Sequence, residues 1–363
     1  MANSTNNNNN VGKALKEQLS KGMVLQAYCN SVLQQSNVDF SADSSLLDLQ
    51  QEINEGLATA KSHANNYLST ISPDILNSLS AFNNYCTIYS SVPTTLPAGS
   101  TIEQWVQTLE AIKEVSETNL RDSNVVVTSL QLLDTNLKTD SASFSQIVHN
   151  LNQLVNGDNG ELDNISAQLK SLDSQIGGTI VATVFGGLGI AGGVFMIIVG
   201  SVADFITAGT NPELVIGGVA TVVAGVGTEA GTIVTLVSLY NQKADLLKEK
   251  SMLTTEVNLV AGISSAYTQL ASQVSEAADA ADYMVSAWKL LNEDLASMID
   301  DLQNGILSTD NARTMFLQET NTDIQRLLAD LAVIKEQMAG ITQTTVPSGS
   351  NMAAYLGTLA NSN

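Results

Sequence analysis

The most restrictive feature of this sequence is a long apolar stretch without positive charge in the middle of an acidic chain. Residues 174–203 contain no Asp, Glu, Lys or Arg, and residues 171–242 contain no Lys or Arg. Two apolar halves of 27 residues each, 176–202 and 214–240, lie within this stretch. Each half is longer than the ~20 helical residues needed to cross the hydrocarbon core of a bilayer. The sequence therefore predicts a hairpin of two helices that is able to cross a membrane.

The candidate membrane-inserting residues are the large apolar side chains of the two halves. They are Ile176, Ile180, Val181, Val184, Phe185, Leu188, Ile190, Val194, Phe195, Met196, Ile197, Ile198, Val199, Leu214, Val215, Ile216, Val219, Val222, Val223, Val226, Ile233, Val234, Leu236 and Val237. The connection DFITAGTNPE contains Gly209 and an Asn-Pro pair, which favour a turn. We expect the tip of the hairpin to be formed by Asp204, Phe205, Asn211, Pro212 and Glu213.

In water, the apolar stretch must be shielded from solvent. Its first half contains fourteen Val, Ile, Leu, Phe or Met residues, and burial at roughly 2 kcal/mol each amounts to about 28 kcal/mol. A folded protein is typically stable by only about 5–15 kcal/mol, so exposure of the segment is excluded. The cover is the rest of this chain, another copy or lipid. A buried central pair of helices is therefore the alternative to a membrane hairpin.

Glycine is concentrated in the same region, since 14 of the 25 glycines fall in residues 177–231. Glycine lowers helix propensity by about 1 kcal/mol per residue, which suits a segment with one conformation in water and another in a membrane. Part of the region, such as LVIGGVATVVAGV, is an alternative candidate for a short β-hairpin in the soluble form. Small residues also let helices approach closely in lipid. The candidate helix-packing glycines are Gly186, Gly189, Gly193, Gly200, Gly227 and Gly231.

One acidic residue, Glu229, falls near the middle of the second apolar half. An ionised carboxylate that faces lipid at that depth costs a few kcal/mol. Either Glu229 faces a pore lumen or a helix interface after insertion, or the membrane span ends before it.

Outside the apolar stretch, residues repeat with the period of long packed helices. Two series spaced by seven, which begin at Ile102 and Trp105, are apolar at twelve of sixteen positions and predict one helix of about 50 residues. The four polar members are Ser116, Asn119, Ser123 and Asp140. A third series, from Leu246 to Leu302, has no polar member and predicts a helix of some 55–60 residues.

These patterns predict an all-α fold, an elongated bundle of long antiparallel helices with a hydrophobic head formed by the central hairpin. Shorter amphipathic segments cover residues 11–35, 42–71, 73–91 and 309–338, and Ser41 is a candidate N-cap. The predicted division is a disordered Asn-rich lead, a first bundle part, the head, a second bundle part and a flexible tail. The bounds are 1–10, 11–173, 174–240, 241–341 and 342–363.

Charge and composition argue against nucleic-acid binding and catalysis. The net charge of −21 disfavours a nucleic-acid partner. The two histidines, His63 and His149, lie in polar helical segments and are predicted to be surface residues. No spacing of metal ligands and no phosphate-binding loop is present, so neither a metal nor a cofactor is expected. Cys29 and Cys86 are either two ordinary thiols or one bridge.

The layout of long amphipathic helices around a glycine-rich apolar hairpin resembles the α-helical pore-forming toxins. This group includes cytolysin A and the Bacillus haemolysin BL and non-haemolytic enterotoxin components. The opening MANSTNNNNN lacks the basic and apolar regions of a secretory signal, and so the sequence is most similar to the B components of the Aeromonas and Serratia tripartite haemolysins.

The residues predict that the chain is not an enzyme. The resemblance implies a secreted soluble component, exported without a classical signal peptide. Its head opens, presents residues 176–202 and 214–240 to the target-cell membrane as two helices with residues 204–213 at the leading tip, and oligomerises into a lytic pore. The implied partners are membrane lipid, other copies of the chain and one or two further toxin components. Because both halves are apolar, another component would supply the hydrophilic lining.

Two other classes of protein fit parts of the pattern. A two-span anchor of the producing cell would place Lys170 and Lys243 on the same side of its membrane, as the positive-inside rule requires. Its weaknesses are the glycine content and the scarcity of interfacial aromatic residues. A structural rod of a phage or secretion system would use the apolar pair as an oligomer interface.

Overall fold

The computed structural model of this chain describes residues 4–40, 44–154, 161–187, 195–200, 204–208, 211–215, 218–223, 230–248, 255–320, 329, 341–345, 354–355 and 358. Eight helices are described within these ranges. They are α1 (Ser4–Gln34), α2 (Leu47–Asn66), α3 (Ser72–Thr95), α4 (Ile102–Leu154), α5 (Glu161–Gly187), α6 (Ala230–Lys248), α7 (Thr255–Gln303) and α8 (Thr309–Thr320). A 3₁₀ turn, Ser44–Leu46, precedes α2, and a π-helical turn, Tyr67–Ile71, joins α2 to α3. The predicted all-α fold class is confirmed.

Within the described residues, five short strands accompany the helices. They are β1 (Phe195–Gly200), β2 (Asp204–Ala208), β3 (Asn211–Val215), β4 (Gly218–Val223) and β5 (Ile341–Thr345). The strands form a three-stranded antiparallel sheet in the order β1-β4-β5 and a two-stranded hairpin of β2 and β3. Residues 341–345 are therefore a paired strand, whereas the sequence suggested that a loose tail begins at this point.

The chain divides into two compact units, each assembled from three separate stretches. The first unit is Met1–Leu19, Ile71–Leu130 and Ala277–Ala339, and the second is Ser20–Thr70, Gln131–Glu276 and Gly340–Asn363. Helices α1, α4 and α7 each contribute residues to both units. The five-part division drawn from the sequence stays a prediction.

Helix α4 agrees closely with its sequence pattern. It has 53 residues, from Ile102 to Leu154. Its start is a reciprocal capping box, in which the backbone N–H of Gln104 donates to Thr101 Oγ1 at 3.2 Å and the backbone N–H of Thr101 donates to Gln104 Oε1 at 2.9 Å. Periodicity and capping thus fix the same starting residue.

Helix α1 and the helix predicted from Leu246 differ from the sequence prediction at their ends. The Asn-rich residues 4–10, expected to be disordered, are the first turns of α1. Asn has modest helix propensity, but extending a helix that packing already holds avoids the cost of a new nucleus. The predicted helix from Leu246 corresponds to two described parts, the end of α6 at Lys248 and α7 from Thr255. Residues 249–254 lie outside the described residues, as do Ser41 and most of 321–340.

The first unit is centred on a continuous cluster of aromatic rings. Tyr85 lies 5.4 Å from Trp288 and 5.8 Å from Tyr89, measured between ring centroids. Phe316 continues the cluster, at 4.6 Å from Tyr89 and 5.7 Å from Trp105. Such contacts contribute about 0.5–1.5 kcal/mol each beyond burial, so this cluster is a rigid centre for α3, α4, α7 and α8.

Candidate functional site

The apolar stretch forms a folded head on two packed helices of the second unit. Helices α5 and α6 contact each other, β1 contacts α5, and β3 contacts α6. The chain therefore leaves the bundle along α5, runs through four strands and returns along α6. We call residues 174–240 the head segment.

The described strands of the head segment form two antiparallel ladders. In the sheet, Phe195 is opposite Val223 and Gly200 is opposite Gly218. In the hairpin, Asp204 is opposite Val215 and Ala208 is opposite Asn211, which leaves a two-residue connection. The predicted ten-residue tip is therefore a hairpin, in which Pro212 lies on an edge strand where its missing N–H is tolerated.

Strand β5 comes from the far end of the chain and covers the second edge of β4. Its pairing places Thr345 opposite Val219, Gln343 opposite Thr221 and Ile341 opposite Val223. Without β5, β4 would present a row of unpaired backbone donors and acceptors on that side. The C-terminal strand thus closes this edge.

Most of the predicted membrane-inserting residues lie in α5, β1, β3, β4 and α6 of the second unit. Those in α5 are Ile176, Ile180, Val181, Val184 and Phe185; in β1, Phe195, Met196, Ile197, Ile198 and Val199; in β3, Leu214 and Val215; in β4, Val219, Val222 and Val223; in α6, Ile233, Val234, Leu236 and Val237. Ile180 and Leu236 are fully buried, whereas Val234 is 67% exposed. Leu188, Ile190, Val194, Ile216 and Val226 lie outside the described residues.

The remaining head predictions are only partly covered by the described residues. The tip residues Asp204 and Phe205 begin β2, and Asn211, Pro212 and Glu213 begin β3. Three of the candidate glycines lie in described elements, Gly186 in α5, Gly200 in β1 and Gly231 in α6. Gly189, Gly193, Gly227 and Glu229 lie outside the described residues.

The expected pair of continuous helices is not the conformation of this structure. The described residues between 195 and 223 are in strands, because Val, Ile and Thr restrict the side chain in a helix while glycine lowers helix propensity further. The alternative of a part-β soluble form is the correct one, although β3 and β4 each pair with an upstream strand rather than with each other. Within the described ranges, no helix has both the length and the hydropathy for a membrane crossing.

A buried ion pair joins the two helices that carry the head. Lys243 Nζ of α6 lies 2.5 Å from Asp173 Oδ1 of α5, and the two side chains are only 4% and 8% exposed. The Ser265 hydroxyl of α7 donates to the other carboxylate oxygen at 2.5 Å. Charges this deeply buried are tolerated because each oxygen of the carboxylate has a partner. Asp173 therefore ties α5 to both α6 and α7.

One turn further along α5, Gly177 packs closely against the polar side chains of Gln269 in α7 and Tyr28 in α1. A Cβ at this position would lie 2.2 Å from Gln269 Nε2 and 3.3 Å from the Tyr28 hydroxyl, so the absence of a side chain allows α1 and α7 to approach. Burial raises the pKa of Tyr28 well above its usual value, and the neighbouring Tyr240 and Asp173 act in the same direction. The phenol thus stays neutral beside Gln269, with which it forms a hydrogen bond.

We expect Lys243→Met to destabilise the second unit by about 3 kcal/mol or more, because it leaves the Asp173 carboxylate buried without its cation. Amide hydrogen exchange in α5 and α6 measures the effect, together with thermal unfolding. Lys289→Met, at an exposed position of α7, is the matched control and should change little. The pair Asp173→Asn with Lys243→Met should recover most of the loss, and a single variant as stable as the control would contradict the role of the pair.

The sequence held a signal for this pair that hydropathy alone missed. Lys243 continues the buried face of Leu236, Leu239 and Tyr240, and Asp173 lies on the buried face of α5 with Ile176. A single charge on each apolar stripe of two helices that flank one hairpin predicts that the two charges meet.

The described residues contain no group of three potential metal ligands among His, Cys, Asp and Glu. His63 is not a simple surface residue, since its Nδ1 lies 2.7 Å from the largely buried Asp140. His149 is exposed and lies beside Gln153. Cys29 and Cys86 are both buried free thiols.

Comparison with known proteins places this architecture in context. Residues 5–179 match the family described as Bacillus haemolytic enterotoxin (HBL). No curated protein matches the sequence significantly. Among solved structures, the chain is similar to the soluble form of AhlB from the tripartite α-pore-forming toxin AHL of Aeromonas hydrophila. The TM-score is 0.89 at 38% identity, and the match covers 97% of this chain and 99% of that chain.

Two further solved structures are informative. Soluble SmhB, of the tripartite toxin Smh from Serratia marcescens, gives a TM-score of 0.86 at 29% identity over 98% of each chain. The pore form of AhlB gives a TM-score of 0.65 at 32% identity, over 93% of this chain and 99% of that chain. The chain is therefore similar to one protein in two forms, and its own structure is closer to the soluble form.

Proposed function

The chain belongs to the tripartite α-pore-forming toxins and is a pore-forming component, and we propose that residues 176–240 are the part of it that enters the target membrane. Relatives in this family are parts of three-component toxins. The chain accordingly acts with further components and with copies of itself. The alternatives of a cell anchor and a structural rod are not retained.

One observation carries the proposal. The relative AhlB exists both as a soluble protein and as a pore, and this chain aligns with nearly all of both forms, although its structure follows the soluble one. The TM-score of this chain is 0.89 with soluble AhlB and 0.65 with the AhlB pore. The difference means that a large part of AhlB rearranges between its two forms. The head segment is the most apolar part of this chain, and so it is the segment that gains most from transfer into lipid.

The strand-paired head is suited to water and not to lipid. A sheet with open edges is excluded from the hydrocarbon region, because unpaired N–H and C=O groups have no partner there. We infer that the strand residues within 176–202 and 214–240 become helical on insertion, so that each half is one continuous helix. A helix of 27 residues is about 40 Å long, which exceeds the ~30 Å hydrocarbon core and allows some tilt.

Insertion of two apolar helices does not by itself produce a water-filled channel. Glu229 is the single charged residue within the two inserting halves, and we propose that it faces the lumen or a helix contact. The other toxin components then supply the remaining polar lining. The chain alone would bind membrane, whereas release of contents would need its partners.

Lysis of erythrocytes and dye release from liposomes test this proposal. We expect the purified chain to bind liposomes alone, to release little dye, and to lyse cells when the partner components of the producing organism are added. Lysis should require all components. A chain that neither binds membrane nor changes the lytic activity of the partners would contradict the proposed function.

Secretion without a classical signal peptide stays a prediction. The chain is expected in culture supernatant without detergent, and the intact mass of the secreted protein tests whether a leader has been removed. Recovery only from detergent-solubilised membranes of the producer would contradict secretion.

A further inference from the structure

Polar side chains interrupt the buried face of α4 in the first unit. Between Leu109 and Leu130, three successive polar core positions of this helix are Ser116, Asn119 and Ser123, each at least 93% buried. The Ser116 hydroxyl and the Asn119 amide nitrogen have no hydrogen-bond partner in the part of the chain that the structure describes. An unpaired buried polar group keeps its desolvation cost, so this part of α4 packs less favourably than an apolar core would.

Helix α7 carries a similar interruption at Asn292. This residue is only 9% exposed, and neither the nitrogen nor the oxygen of its side-chain amide has a partner among the described residues. Its neighbours on the buried face of α7, Leu291 and Leu295, are apolar. Asn292 is therefore a second unpaired polar group in the core of the first unit.

Helices α4 and α7 run antiparallel to each other. The hydroxyl groups of Ser141 and Thr268 lie 2.8 Å apart, and those of Ser145 and Ser264 lie 3.0 Å apart. Four residues forward in α4 thus correspond to four residues back in α7. Each of the two helices is one continuous element, so the same direction holds along its whole length.

The interruptions of the two helices lie at the same level of the first unit. Asn119 of α4 and Trp288 of α7 line one groove, and so they are close together. One turn back from Asn119 leads to Ser116, and one turn forward from Trp288 leads to Asn292. In antiparallel helices these two steps go in the same direction. We call Ser116, Asn119 and Asn292 the polar layer.

The two forms of the relative AhlB differ in more than the head. The head segment, residues 174–240, holds 67 of the 363 residues, so its complete displacement would lower a TM-score by about 0.18 at most. The TM-score of this chain is 0.89 with soluble AhlB and 0.65 with the pore, a difference of 0.24. The two forms therefore also differ outside the part that aligns with the head segment.

We propose that the polar layer is a built-in weak point, at which α4 and α7 separate in the first unit when the pore assembles. Burial without partners is unfavourable in the closed bundle, whereas water hydrates these side chains once the helices are apart. The layer thus lowers the free energy of opening. An apolar layer would raise it, because opening would expose apolar surface. This inference rests on the proposed function, since it assigns one step of pore assembly to the bundle.

A thiol placed in the polar layer reports the separation. Ser116 is fully buried, and Ser116→Cys introduces a thiol of nearly the same size. The full chain is treated with a water-soluble maleimide, alone and with liposomes and the partner components, and labelled sites are identified by peptide mass. We expect labelling of residue 116 to become at least tenfold faster during pore assembly. Dye release from pores in which residue 116 stays unlabelled would overturn the proposal.

Two other thiols show whether the opening is local. The native thiol of Cys86 is buried in α3 of the same unit and should stay slow to react. Labelling of Cys86 as fast as that of residue 116 would mean that the whole unit opens, which contradicts a local weak point. Ser80→Cys, at an exposed position of α3, should be labelled quickly throughout.

Apolar substitution of the layer tests its effect on pore formation. The double variant Asn119→Leu with Asn292→Leu replaces two unpaired amides by side chains of similar size. It should raise the melting temperature by several degrees and lengthen the lag before lysis at least threefold. Asn124→Leu, at an exposed position of α4, should change neither quantity.

Gln18→Leu is the matched control for stability. Gln18 is buried in α1 of the same unit, and both atoms of its side-chain amide lack a partner among the described residues. This variant should raise the melting temperature without a longer lag. An equal delay in Gln18→Leu would assign the effect to stability in general, and an unchanged lag or a lower melting temperature in the double variant would also refute the role of the layer.

A label in the head segment separates this inference from the proposed function. A fluorescent label at Val199→Cys is followed under the same conditions as the thiol at residue 116. Entry of residue 199 into lipid while residue 116 stays shielded contradicts only the weak point. Labelling of residue 116 while residue 199 stays outside the lipid contradicts only the proposed insertion.

Discussion

A disulfide between Thr221→Cys and Gln343→Cys is expected to abolish lysis under oxidising conditions and to restore it on reduction. The two positions are opposite each other in the β4–β5 ladder. Opposed residues in an antiparallel ladder have Cα atoms about 4.5–5.5 Å apart, which lies within the range that a disulfide spans. Strand β5 is outside the proposed inserting segment, so a bond to it holds β4 in the soluble head. The expected loss is at least tenfold in erythrocyte lysis.

The native thiols do not complicate this experiment. Burial raises the pKa of Cys86 to about 12, and it raises the pKa of Cys29 further. Both thiols therefore stay protonated near neutral pH and react slowly, because the thiolate is the reactive form. The single variants Thr221→Cys and Gln343→Cys are the controls and should lyse equally with and without oxidant. Full lysis by the oxidised double variant would show that β4 need not leave β5.

Ile197→Asp is expected to reduce lysis by two orders of magnitude or more. Ile197 lies in β1 and belongs to the first apolar half. An aspartate in the middle of a membrane helix costs about 2.5–3.5 kcal/mol, which is on the order of a 100-fold loss in the insertion equilibrium. Because every copy in an oligomer carries the substitution, the effect on the pore is larger than the effect on one chain.

The matched control places the same charge on the exposed face of α3. Ser80→Asp lies on the exposed surface of the first unit and should leave lysis unchanged. Circular dichroism must show equal helix content in both variants, which checks that the long helices are intact. Normal lysis by a folded Ile197→Asp variant would remove the first apolar half from the inserting segment.

The sequence predicted the long helices well because their information is local. In α4, the seven-residue period and the Thr101–Gln104 capping box indicate the same start, and both are readable within a few turns. Helix α7 is similarly periodic, and Gly305, with a φ of 71°, lies just after its end. Such signals do not require knowledge of distant residues.

The sequence did not reveal the conformation of the apolar stretch. Hydropathy located the apolar stretch, yet FMIIVG and GVATVV fit a strand or a membrane helix equally, because apolar content is common to both. Whether these segments form strands depends on pairing with β5. Its polar sequence ITQTT gives no indication that it pairs with a strand more than a hundred residues away. The Asp173–Lys243 pair likewise joins residues separated by 70 positions.

The most direct test of membrane entry is the environment of a fluorescent label at Val199→Cys when liposomes and partner components are added. We predict a blue shift, quenching by nitroxide lipids and protection from iodide, because residue 199 moves from strand β1 into the hydrocarbon region. A label at Ser80→Cys should stay accessible to iodide throughout. If pores form while the label at residue 199 remains unquenched by nitroxide lipids, then the head segment does not enter the membrane and the account is wrong.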